Sequence, residues 1–91
     1  MKAFVIVENY RNEKNGDSIE QVQIIDVYLS EEKANERLQE LHKEAINVAK
    51  QFFSEDDIHT EIGKYGSECY LEYEYDTFHL DYTVSEKDII E

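Results

Sequence analysis

The sequence predicts an α+β fold: a four-stranded antiparallel sheet, ordered β-β-α-β-β along the chain, with one long helix packed on one face. Three observations carry this expectation. Two β-branched, apolar runs within residues 3–29 are separated by Asn15-Gly16; residues 31–53 bear one apolar stripe at helical spacing; and residues 69–84 alternate apolar and polar side chains across a short turn. At 91 residues the chain makes a single domain, 1–91, with one modest core.

Residues 3–8 are aromatic and β-branched on both alternating faces (Phe4 and Ile6, Val5 and Val7), as in a strand placed centrally in a sheet. The polar stretch Arg11 to Ser18 connects it to the next run, and Asn15-Gly16 tolerates the positive φ of a hairpin turn. The run Ile19 to Leu29 changes its alternation between Ile24 and Ile25, the mark of a β-bulge. Strands over 3–10 and 19–29 therefore form an antiparallel hairpin.

Ser30 stands before Glu31 and Glu32, a cap followed by acids that complement a helix dipole. From there Ala34, Leu38, Leu41, Ala45, Val48 and Phe52 recur at steps of four and three, opposite Glu32, Glu36, Lys43, Asn47 and Lys50. Ser54-Glu55-Asp56-Asp57 resembles a second cap, and Ile58 with Ile62 predicts one or two helical turns. Gly63 and Gly66 bracket a loop at Tyr65. Leu71, Tyr73, Phe78, Leu80 and Tyr82 then form the inward face of a second hairpin, with Cys69 on the same side as a buried structural thiol. Ser85 to Glu91 reads as a short tail whose Ile89 and Ile90 fold back onto the sheet.

The net charge is −13, and its distribution is uneven. Residues 51–91 hold twelve acids against Lys64 and Lys87, whereas residues 1–50 hold ten acids against seven bases. Such a field repels nucleic acid and anionic membrane and attracts basic protein surfaces. Cys69 is the sole cysteine, so an internal disulfide is excluded. The apolar run at the N-terminus stops at Val7, and no segment nears the roughly 18 apolar residues of a membrane span. A cytoplasmic protein is expected.

The outer face of the second hairpin is the expected binding site. Glu72, Glu74, Asp76 and Asp81 should emerge together, with Glu68 and Tyr70 beside them, and meet a basic protein surface. Their expected spacing of roughly 5–7 Å approaches the roughly 6–7 Å between successive phosphates of a nucleic-acid strand. The competing reading is a solvated face that supplies solubility and blunts edge pairing. Tyr65, Tyr70 and Tyr10 either contact a partner or cover the open side of the sheet. His42, His59, His79 and Cys69 lack metal-ligand spacing, and Glu55-Asp56-Asp57 lacks the alternating ligands of a calcium loop. No nucleophile–base pair and no glycine-rich phosphate loop stands in the chain, so no cofactor, metal or catalytic function is expected. A homodimer through a sheet edge or open face is the alternative function.

The run Ile25-Asp26-Val27-Tyr28-Leu29-Ser30-Glu31-Glu32-Lys33-Ala34 resembles a pattern in small uncharacterised bacterial and phage proteins of β-β-α-β-β layout. There a hairpin leads through a valine, an aromatic and a serine cap into an acid-rich helix start, and an acidic, aromatic strand closes the chain. The resemblance covers about half of the sequence and implies fold, not activity. In size, acidity and lack of catalytic motifs the chain is also similar to phage-encoded inhibitors of anti-CRISPR type. That likeness implies a non-enzymatic decoy, working in a host cytoplasm, that imitates nucleic acid.

Overall fold

The run expected to be a central strand does sit inside the sheet, with Ile6 fully buried. The computed structural model describes all residues except Asn15, Glu74, Tyr75 and Glu91, and the side chains of all the others except Lys14, Phe52, Glu55, Glu72, Tyr73 and Asp76. Along the chain run β1 (Lys2–Lys14), β2 (Asp17–Tyr28), α1 (Glu31–Phe52), a 3-10 turn at Glu55–Asp57, β3 (His59–Ile62), β4 (Gly66–Tyr73) and β5 (Asp76–Asp88). The sheet is antiparallel, in the order β2-β1-β5-β4-β3, so the first and last strands are neighbours at its centre.

The sheet has five strands where four were expected. The extra one is β3, in the segment read as helical turns. Ile58 and Ile62 are four apart, but the cap-like acids before them close only the 3-10 turn, and Thr60 and Glu61 pair instead with Cys69 and Glu68. The polar stretch Arg11 to Ser18 is likewise mostly ladder rather than loop. Arg11 pairs with Glu20, setting opposite charges across the strands, Lys14 is in register with Asp17, and Gly16 turns the chain at φ 87°. The expected tail also joins the sheet: Ser85 to Asp88 extend β5 against Val5 to Lys2, and the Ile89 N–H donates to the Met1 carbonyl at 2.8 Å. Ile90 does not fold back, being 94% exposed.

The phase change in β2 is a bulge. Ile6 pairs with Asp26 and Val7 with Ile24, which leaves Ile25 as the extra residue. Without it, either Asp26 and Tyr28 or Val22 and Ile24 would face the wrong side.

α1 begins where Ser30 accepts a hydrogen bond from the Lys33 N–H at 3.3 Å. Its buried stripe is Ala34, Leu38, Leu41, His42, Ala45 and Ala49, so His42 packs inward while Val48, expected in the stripe, is exposed. The stripe lies over β1, β5 and β4 and meets Phe4, Ile6, Cys69, Leu71, Phe78, Leu80, Tyr82 and Val84 in one core. Of the inward residues expected on the second hairpin, Leu71, Phe78, Leu80 and Tyr82 are buried as expected, whereas the side chain of Tyr73 lies outside the described set. No helix among the described residues is long and apolar enough to cross a membrane.

Candidate functional site

With α1 on one side, the side chains of opposite phase form an uncovered face. The strand registers place its residues in rows that run across the sheet. One row reads Val22, Asn9, Asp81, Glu68, Glu61, from β2 to β3. Three carboxylates thus stand on three adjacent strands, about 4.8 Å apart per strand. The next row reads Glu20, Arg11, His79, Tyr70, His59. Here Tyr70 is stacked between two imidazoles, with ring centroids 5.1 Å from His59 and 5.4 Å from His79 and interplanar angles of 21° and 8°. On the other side of the acidic row lie Ile24, Val7, Thr83 and Gly66.

Small residues keep the middle of this face low. Gly66 and Thr83 form part of the floor of a hollow of about 710 Å³, with Val7 on one side and Glu61, Glu68 and Asp81 on the other. A Cβ on Gly66 would come within 3.4 Å of the Tyr82 carbonyl oxygen, so the close strand approach here also favours glycine.

The acidic row is uneven in its exposure. Glu61 and Glu68 are exposed, whereas Asp81 is half-buried and its Oδ1 has no hydrogen-bond partner. Burial, with a smaller contribution from Glu68, pushes the Asp81 carboxyl above the ordinary aspartate range; His79 and the Cys69 backbone N–H act in the opposite sense. Several ion pairs lie elsewhere. Lys2 binds Glu86 at 2.8 Å, Lys64 binds Glu31 at 2.9 Å, and Arg37 reaches Asp26, Glu40 and Glu44. Three of the nine bases are thus engaged away from Asp81, Glu68 and Glu61, of which Glu61 and Glu68 are exposed to solvent.

The register divides the acids expected to act together. Glu72 pairs with Thr77, in phase with Glu68 and Tyr70 on the open face. Asp76 pairs with Tyr73, in phase with Phe78 and Leu80 and out of phase with Asp81, because the two-residue period of a strand separates even from odd positions. Glu74 lies outside the described residues. Of the expected site, Glu68, Tyr70 and Asp81 come together with Glu72 in register, and Glu61 and His59 join them from β3. Reading His59 to Ile62 as alternating positions, with Ile62 opposite in phase to Glu61, would have found both.

A second patch on this face is aliphatic. Val5 faces Val27 and Val7 faces Ile24, with Val22 next along β2; Val22, Ile24 and Val27 are 66%, 67% and 58% exposed. On the covered side the Tyr82 hydroxyl donates to Glu8 Oε2 at 3.0 Å and Gln23 donates to Glu8 Oε1 at 2.9 Å, whereas His42 Nδ1 and Ser67 Oγ are buried without a partner. Cys69 is buried, and burial raises its thiol pKa, so it is shielded and un-ionised. Among the described residues, no three His, Cys, Asp or Glu side chains gather as a metal-ligand set. The arrangement offers a hollowed, negatively charged and partly apolar surface. Neither family models, nor curated proteins, nor solved structures gave a match to this chain.

Proposed function

We propose that the protein is an acidic, non-enzymatic binding protein whose open sheet face occupies the basic groove of a nucleic-acid-binding protein, in the manner of a phage- or mobile-element-encoded inhibitor. The observation that carries this reading is the row Asp81, Glu68, Glu61, three carboxylates in register on an uncovered surface of a chain with net charge −13. Like charges directly opposite one another on neighbouring strands destabilise a sheet. A cationic partner relieves that repulsion, and complementary charge accelerates its association. The stacked His59, Tyr70 and His79 add flat aromatic area beside the carboxylates, suited to a guanidinium.

The test is capture of a basic nucleic-acid-binding protein followed by competition. Duplex DNA or structured RNA should release it, raising salt from 0.05 to about 1 M should weaken it steeply, and Glu61→Gln with Glu68→Gln should abolish capture. A partner held equally well at about 1 M salt, or by the double variant, contradicts the reading. A second reading, a dimerisation module in which acidity serves solubility, draws on the exposed Val22, Ile24 and Val27 at the sheet edge. Sedimentation at micromolar concentration separates the two.

A further inference from the structure

We infer that the partner meets this face with a cationic amphipathic helix, lying along β1 and β5 with its apolar side on the β1–β2 aliphatic patch and its basic side over the acidic row. This deepens the proposed function, on which it rests. Carboxylates alone suffice to imitate phosphates. They do not account for Val5, Val7, Val22, Ile24 and Val27 gathering on the same uncovered face, three of them more than half exposed. A contiguous aliphatic patch bordered by charge marks a protein contact, and nucleic acid offers no matching aliphatic surface.

Charge chooses the occupant. The patch passes directly into Asp81, Glu68 and Glu61 across Asn9, so whatever covers it must be apolar on one flank and positive on the other. A second copy of this chain would bring another −13 of charge to the same place. The dimensions suit a helix. Five strands span roughly 19 Å between the outer two, and a helix with its side chains is about 10–12 Å across. Seated over the low centre made by Thr83 and Gly66, it reaches Val7 and Ile24 on one side and Asp81 and Glu68 on the other. The carboxylates run across the strands, so a helix lying along β1 and β5 crosses their row and meets Asp81 and Glu68 at one level of its basic flank.

The experiment titrates the full chain with two synthetic peptides of identical Lys and Leu content, one ordered as an amphipathic helix and one scrambled, and measures Kd by calorimetry at low salt. The amphipathic peptide should bind about tenfold tighter. Val22→Thr with Ile24→Thr, exposed positions that keep their β-branched shape, should remove that advantage and leave the scrambled peptide unchanged; circular dichroism checks that the variant is folded. Equal affinities for the two peptides overturn the helix and leave the acidic-face reading standing. If neither peptide binds, both readings fall. Sedimentation showing a dimer that Val22→Thr with Ile24→Thr dissociates places a second copy on the patch and overturns the inference.

Discussion

Asp81 and His42 are opposite cases of a titratable group held in a place that disfavours its charge. Burial raises the Asp81 carboxyl pKa above its unfolded value, so the native state holds this proton more tightly than the unfolded chain. Its ionisation therefore costs stability as pH rises from the ordinary aspartate range to the raised native one, and the loss persists at neutral pH. Asp81→Asn should raise Tm at pH 7 by a few degrees, with no gain at pH 3, measured by thermal denaturation across pH. An equal or lower Tm at pH 7 would show that the carboxylate is better solvated than its unpartnered Oδ1 implies. His42 runs the other way. Buried on α1 with no partner for Nδ1, it has a pKa below the ordinary histidine value. The native state binds that proton more weakly, so stability falls as pH drops through about 6.5 and below. His42→Leu should flatten this acid limb between pH 7 and 5 in urea titrations. The sequence marked His42 only as a histidine without metal spacing. Its burial follows from the stripe rotating to include position 42 in place of Val48, which spacing alone does not decide.

The best-specified elements are those whose local chemistry agrees with their packing. α1 was legible because the Ser30 cap, the acids Glu31 and Glu32, and the Leu38–Ala45 stripe all mark the same segment. Ser30→Ala should cost about 1 kcal/mol and Leu38→Ala about 2–5 kcal/mol in urea denaturation; a near-neutral Leu38→Ala would mean that the core collapses around the gap. The bulge at Ile25 was legible for a similar reason, since one inserted residue is what moves the apolar phase of a strand from Ile24 to Ile25. β3 was not legible. Four residues are too short for alternation to outweigh a cap-like Ser54-Glu55-Asp56-Asp57, and its place is set by pairing with β4, a contact the local sequence does not announce. The same limit hid the pairing of β1 with β5, which joins residues from opposite ends of the chain, such as Lys2 and Asp88. The phase of Asp76, in contrast, stands in the sequence itself, two residues before Phe78 and four before Leu80.

At the scale of the molecule, the folded chain sorts its charge. Lys2, Arg37 and Lys64 are engaged by acids of α1, β2 and β5, while Glu61, Glu68 and Asp81 share the uncovered face with an aromatic row and an aliphatic patch. The outer side of α1 is also acidic, with Glu32, Glu36, Glu40 and Glu44 exposed, and it competes for any cation in solution. The claim that the open face is the binding surface is therefore tested most directly by nuclear magnetic resonance shift mapping with a Lys- and Arg-rich nucleic-acid-binding domain at low salt. Amide shifts should concentrate on Glu61, Glu68, Tyr70, His79 and Asp81 and extend to Val7 and Ile24, fading as salt rises. Shifts concentrated on Glu32, Glu36 and Glu40, with the open face unmoved, would contradict it.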